Sequence, residues 1–217
     1  MQPVNRIQQN ILAANERRLL NWLCARLPQW VTPDMLTLIG FIGSLMTFAG
    51  YGLSWWGLSW LWLSVAGYVV NWFGDSLDGS IARYRKIERP EYGYFVDHSI
   101  DAFSNMLLVL GLGLSPFIRF DIALFALAGY LLLSIHTFLA ARVTGEFNLT
   151  YLAAGPTEMR LILIALTVTM YSVGPMPEVY SGMSPFDLFG LTLGCVLIML
   201  FITQTYSLAR RLDPPKR

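Results

Sequence analysis

The sequence has little charge and little cysteine. Of its 217 residues, 13% are Asp, Glu, Lys or Arg, and two are cysteines. Two cysteines cannot define a disulfide framework, and a bond between Cys24 and Cys195 is not expected because Cys195 lies within an apolar run. The chain also lacks a soluble domain with a basic patch interleaved with aromatics, which argues against nucleic acid as a partner.

What the chain has instead is apolar sequence, which makes up 55% of its residues. Six apolar runs are each about 20 residues long, the length that crosses the hydrocarbon of a bilayer. We therefore predict an all-α integral membrane protein with six transmembrane helices. The expected spans are 33–54, 58–83, 93–115, 121–142, 156–174 and 185–208.

Two segments are expected on this basis, an N-terminal segment 1–30 and a membrane domain 31–217. Residues 5–27 mix apolar side chains with four arginines. This pattern predicts an amphipathic helix on the inner leaflet, with its basic residues drawn to anionic lipid. A solvated helix that packs on the bundle is the alternative.

The loop charges predict the orientation. With the N-terminus inside, only Arg119 of the 15 Lys and Arg residues falls on the outer side. Because basic residues accumulate in cytoplasmic loops, both termini are expected in the cytoplasm.

Four aspartates stand within this apolar sequence, where an unpaired charge is costly. Asp75 and Asp78 are three residues apart, and Asp97 and Asp101 are four apart, so each pair shares one face of a helix. The orientation places all four near the cytoplasmic ends of two spans. Oxygen ligands of this kind suit Mg²⁺ or Mn²⁺, and four of them suffice for two ions.

Small residues and an arginine accompany the acids. Gly79 and Gly93 leave room for a substrate or for close helix contact, and Arg83 lies one turn beyond Gly79, where it would hold a phosphate oxygen. A knot of membrane salt bridges or a cation-conducting path would explain the acids alone, but neither needs the glycines.

The whole string resembles the signature of the CDP-alcohol phosphotransferase family, Asp-x2-Asp-Gly-x2-Ala-Arg-x8-9-Gly-x3-Asp-x3-Asp. The eight positions that match it are Asp75, Asp78, Gly79, Ala82, Arg83, Gly93, Asp97 and Asp101. The resemblance implies a membrane transferase in phospholipid biosynthesis. An alcohol would attack the phosphorus of a CDP-linked donor and release CMP.

The resemblance also implies roles for the acids. Asp75, Asp78, Asp97 and Asp101 would hold two Mg²⁺ or Mn²⁺ ions, and Asp101 would act as the general base. Glu158, in a Thr-Glu pair similar to one in the aminoalcohol branch, is the alternative base, or it is a helix N-terminal acid favoured by the dipole.

Further residues are assigned to substrate. Gly79 and Ala82 would admit the nucleotide. Asp34 and Thr37 lie in a segment similar to the Pro-Asn-x-x-Thr of the family, with Asp34 in place of Asn, and Thr32-Pro33-Asp34 also suits a helix N-terminus. Arg142 and Arg160 are expected either to bind phosphate or to anchor the helices at the inner surface.

The motif leaves the substrates open. The donor is CDP-diacylglycerol with a small alcohol as acceptor, or a CDP-amino alcohol with a lipid acceptor. His98 after Asp97 resembles the aminoalcohol branch and is on that resemblance a candidate catalytic residue. The length of the chain fits compact members of the other branch. A Mg²⁺-dependent membrane prenyltransferase and a cation transporter are the other classes considered. Family members are commonly homodimers, so a homodimer is expected.

Overall fold

The computed structural model describes residues 5–7, 13–148 and 156–213, and most of them lie in α-helices. The helices are α1 (Ala13–Cys24), α2 (Pro33–Leu53), α3 (Leu61–Arg85), α4 (Pro90–Gly113), α5 (Phe120–Thr144), α6 (Pro156–Val173) and α7 (Pro185–Leu212). A 3₁₀ turn at Leu58–Trp60 precedes α3. Two three-residue strands, β1 (Asn5–Ile7) and β2 (Glu146–Asn148), pair in parallel with Asn5 opposite Glu146. The predicted helical class is confirmed.

Four of the described helices, α2, α4, α5 and α7, are long and apolar enough to cross a membrane. Six spans were predicted, and the two that fall short by this measure are α3 and α6. Both helices form, but each carries charged residues that lower its hydropathy, and these are the residues of greatest chemical interest. The structure thus supports a membrane protein with four candidate spans.

The N-terminal helix differs from the prediction at both described ends. A helix over 5–27 was expected, but Asn5–Ile7 form a strand and α1 ends at Cys24, whereas residues 8–12 of the expected helix lie outside the described residues. The partner strand lies far along the chain, so no local pattern could indicate it. Leu20 and Cys24 are buried in a cluster with Leu77 and Ile81 of α3. This burial fixes α1 against the bundle.

Local sequence sets several helix ends. The hydroxyl of Thr32 accepts a hydrogen bond of 3.2 Å from the backbone of Met35, with Pro33 in the first turn of α2. This confirms the predicted helix N-terminus. At the end of α3, Lys86 adopts a left-handed conformation with φ of 56°. The chain then turns into α4, so the two helices that carry the aspartates are consecutive.

The helices pack around α2 and α3. The α3 helix contacts α1, α2 and α6. The α4 helix contacts α2 and α5, and the α7 helix contacts α5. One apolar cluster around Tyr51 and Tyr68 lies towards the start of α3, and the cluster with Leu77 and Ile81 lies towards its end. The acidic residues of α3 lie in its second half.

Candidate metal centre

The α2 and α3 helices approach so closely that only glycine fits between them. A Cβ atom on Gly43 would lie 2.3 Å from the backbone nitrogen of Asn71, and one on Gly74 would lie 2.2 Å from that of Gly40. Since Cβ atoms essentially never come within 3.0 Å of such atoms, these glycines are required for the contact. The approach holds the α3 backbone next to Asp75 against α2.

A small cavity opens between α2, α3 and α4. Its walls bring together all four predicted metal ligands and the predicted Thr37. The lining residues are Thr37, Gly40, Phe41, Asn71, Asp75, Asp78, Asp97, Ile100, Asp101 and Ser104. The two aspartate pairs therefore face one space, as their helical spacing indicates.

Asp78 is held in a fixed orientation. Asp78 is buried, with only 8% of the residue exposed. The Thr37 hydroxyl donates to Oδ2 over 2.6 Å, and the backbone N–H of Gly79 donates to Oδ1. Thr37, which was assigned to substrate, thus has a different contact, since it orients one of the acids.

Asp75 and Asp101 lie near one cation, Arg160. Arg160 of α6 forms an ion pair with Oδ2 of Asp75. Asp101 lies close enough to Asp75 for a side-chain hydrogen bond, and both Asp75 and Asp97 act on it electrostatically. Four carboxyl groups with one arginine leave an excess of negative charge, which favours cations in the cavity.

The residues fit divalent metal. Asp97, His98 and Asp101 offer ligand atoms that all lie within 4.8 Å of one another. The Ser104 hydroxyl is buried in the cavity wall without a hydrogen-bond partner. Most of these donors are hard oxygen atoms, the ligand type of Mg²⁺ and Mn²⁺.

His98 lies at the rim of this group. Its Nδ1 is 3.2 Å from Oδ2 of Asp97, and its ring packs against the rings of Tyr94 and Phe138 at centroid distances of 4.4 and 5.4 Å. The predicted catalytic histidine is therefore adjacent to one of the acids, within an aromatic setting.

Several predicted substrate residues lie outside the cavity lining. Asp34 pairs with Arg89 at the surface, where both side chains are about half exposed. The guanidinium of Arg83 folds back to Ser80 over 3.3 Å and covers Gly79. Arg142 is exposed near the end of α5. None of these three predicted residues lines the cavity.

The remaining predicted positions are Gly93, Ala82 and Glu158, and none of them lines the cavity. Gly93 has no atom within 4 Å of the place where a Cβ would be, so it borders open space. Ala82 is partly buried on α3, and Glu158 is partly buried in the first turn of α6. Among the described residues, Glu158 is not one that lines the cavity, whereas Asp101 is.

Sequence reasoning missed Asn71 and Ser104. Asn71 donates to the carbonyl of Gly40 over 3.1 Å and to the hydroxyl of Ser44 over 3.0 Å. Helical spacing could have found both, since Asn71 precedes Asp75 by four residues and Ser104 follows Asp101 by three.

These features define a helical membrane protein whose buried acidic cavity suits hard divalent cations. Residues 30–208 match the family CDP-alcohol phosphatidyltransferase, and the chain belongs to that family. The resemblance carried by the eight motif positions is thereby confirmed.

Two relatives have names that describe their reactions. The chain is 30% identical over 105 residues to archaetidylinositol phosphate synthase of Pyrococcus horikoshii. The matched stretch covers 48% of the chain and 52% of that protein. It is also 35% identical over 85 residues to phosphatidylinositol phosphate synthase of Cutibacterium acnes. That matched stretch covers 39% of the chain and 38% of the relative. The chain thus spans about half the length of these relatives or less.

Proposed function

We propose that this protein transfers a phosphate-linked group from a CDP-linked donor to an alcohol and releases CMP. The observation that carries the proposal is the convergence of Asp75, Asp78, Asp97 and Asp101 on one cavity. Membership in the family favours a nucleotide-linked donor over a prenyl pyrophosphate or a transported cation.

The four aspartates would hold two Mg²⁺ or Mn²⁺ ions, which offset the charge of the pyrophosphate and of the departing CMP. Thr37 and the Gly79 amide keep the Asp78 carboxylate turned towards the cavity. The pair between Arg160 and Asp75 places a guanidinium beside the same space, where it would bind a phosphate oxygen.

The general base is Asp101. It lines the cavity and lies deeper along α4 than Asp97, which suits an acceptor hydroxyl that arrives from the membrane side. Asp101 would take the hydroxyl proton while the new O–P bond forms and the bond to CMP breaks. Glu158 stands further off at the start of α6, and we assign it and His98 to orienting the substrates.

Two observations point to different donors. The names of the two relatives favour an inositol phosphate acceptor and hence a CDP-linked lipid donor. The Asp97-His98 pair and its aromatic neighbours favour a CDP-amino alcohol, because aromatic faces attract an ammonium group. Arg83, Arg142 and Arg160 would serve an acceptor that carries its own phosphate.

We further propose that α3 and α6 complete a bundle of six spans. At about 1.5 Å per residue, the 25 residues of α3 and the 18 of α6 are about as long as the bilayer core is thick. Within these two helices, Asp75 and Asp78 line the cavity, and Arg160 pairs with Asp75. In this arrangement both termini and the mouth of the site lie on the cytoplasmic side.

The N-terminal segment 1–30 would lie along the inner leaflet. The exposed side chains of Leu19 and Trp22 stand beside those of Arg17 and Arg18, a mixture that suits the interface. A reporter that works only in the cytoplasm, fused after Arg217, should be active. We also propose a homodimer in the membrane, which light scattering of the detergent-solubilised protein would measure.

The test of function uses the purified full chain with radiolabelled CDP-diacylglycerol, CDP-choline and CDP-ethanolamine against inositol phosphate, glycerol phosphate, serine and diacylglycerol. We expect CMP release with one pair, its loss in chelator and its return with Mg²⁺ or Mn²⁺. Asp78→Asn and Asp97→Asn should abolish release, whereas Glu178→Gln, which changes an exposed acid outside the cavity, should not. Full turnover in either Asn variant, or consumption of a prenyl pyrophosphate alone, would reject the proposal.

A further inference from the structure

Glu16 of α1 joins two helices that meet at the acidic cavity. One oxygen of its carboxylate, Oε1, accepts a hydrogen bond from the indole Nε1 of Trp72 over 3.0 Å. The same oxygen accepts from the hydroxyl of Thr157 over 2.5 Å. Trp72 belongs to α3 and Thr157 to the first turn of α6, so a single carboxylate ties three helices together.

The two partners stand next to the charged residues of the site. Trp72 precedes Asp75 by three residues, and Thr157 precedes Arg160 by three. Asp75 and Arg160 form the ion pair of the cavity, and the charge of Glu16 itself acts on Arg160. The contact of Glu16 thus spans the same two helices as this ion pair, about one helical turn away along each helix.

The rest of α1 is held without Glu16. Leu20 and Cys24 are buried against α3. The guanidinium of Arg85 donates to the carbonyl groups of Leu27, Pro28 and Val31 over 3.1, 2.8 and 2.6 Å, which fixes the loop after α1. Loss of the Glu16 carboxylate should therefore free the start of α6 without releasing α1.

We infer that Glu16 is a positioning residue for the transfer reaction proposed above, because it sets the start of α6 so that Arg160 reaches the acidic cavity. Glu16 lies outside residues 30–208, over which the chain matches its family. The contribution to the site therefore comes from the N-terminal segment, and it is independent of the eight motif positions.

The test compares variants of the full-length protein in detergent. Glu16→Ala removes the acceptor, Thr157→Val removes one donor at nearly constant volume, and Asn15→Ala is the exposed control on the same helix. Since misplacement of a binding group by about 1 Å can cost up to about 100-fold in rate, we expect Glu16→Ala and Thr157→Val each to lower kcat by about tenfold. KM for the donor should change less, and Asn15→Ala should behave as wild type.

Rescue and coupling separate positioning from general stability. Glu16→Gln keeps an oxygen acceptor and Thr157→Ser keeps the hydroxyl, so both should retain more of kcat than the corresponding disruptive variants. Glu16→Ala combined with Thr157→Val should be no slower than Glu16→Ala alone, because Glu16→Ala already removes the contact that Thr157→Val removes. Cys24 should stay protected from maleimide in all of them.

Hydrogen–deuterium exchange measures the same contact without substrate. Glu16→Ala should speed amide exchange in the peptide that covers the first turns of α6, but not in α7. Wild-type kcat in Glu16→Ala, additive losses in the double variant, or exposure of Cys24 would overturn the inference. If the wild type releases no CMP while exchange still responds to Glu16→Ala, the proposed reaction fails and the structural tie stands.

Discussion

Replacement of Gly74 by alanine tests whether contact between α2 and α3 builds the cavity. The added Cβ would lie 2.2 Å from the nitrogen of Gly40 and 2.4 Å from the carbonyl oxygen of Leu36. Ordinary contact begins at 3.4 Å, so α3 must move away from α2 by about 1 Å or more. Both atoms belong to the backbone, so no side-chain rotation can relieve the clash.

The displacement acts on the neighbouring residue, Asp75. Overpacking of this kind costs about 1–3 kcal/mol, of which the better helix propensity of alanine returns up to about 1 kcal/mol. We expect Gly74→Ala to lower the free energy of unfolding modestly but to lower the rate of CMP release by about 100-fold, because Asp75 and Asp78 on α3 shift together relative to Thr37 on α2 and to Asp101 on α4.

The matched control is Gly52→Ala, near the end of α2. A Cβ on Gly52 would meet no atom within 4 Å, so this variant gains helix propensity and should keep full activity. The assay is CMP release by purified protein, together with thermal unfolding followed by size exclusion. Wild-type release and wild-type unfolding in Gly74→Ala would refute the reasoning.

Three more predictions concern separate parts of the molecule. Gly93→Ala should not lower the temperature of thermal unfolding, since open space surrounds the site of the Cβ, but it should raise KM for the donor because substrate fills that space; an unchanged KM would place substrate elsewhere. Arg89→Ala should change the free energy of unfolding by at most about 1 kcal/mol, because its pair with Asp34 is half exposed, and a larger loss in chemical denaturation would contradict this. Burial raises the pKa of the Cys24 thiol against the opposing charge of Arg85. Maleimide should therefore modify Cys24 more slowly in the folded protein than after unfolding at the same pH, and stability should fall as the pH rises through the range in which the unfolded thiol ionises.

Local periodicity was enough for the elements and for part of the site. The spacing within each aspartate pair indicated one helical face, and both pairs do face one cavity. Thr32 and Pro33 indicated the start of α2, which begins at Pro33. Hydropathy indicated six membrane-spanning helices, and four of the described helices are long and apolar enough to be such spans. The other two, α3 and α6, fall short because charged residues lower their mean hydropathy.

Contacts between distant residues were beyond such patterns. The ion pair of Arg160 with Asp75 joins residues 85 positions apart, and the bond of Thr157 to Glu16 joins residues 141 apart. The pairing of β1 with β2 similarly replaced the first part of a helix that the local sequence favoured.

The sequence alone determined which residues share a helical face, since three or four positions make one turn whatever the surroundings. It thereby determined the chemical character of the site and the family to which the chain belongs. Only the tertiary structure decided which cation meets which acid and that Thr37 orients Asp78, because those choices depend on how helices pack. The glycine contact of α2 with α3 is what brings these side chains within reach of one another.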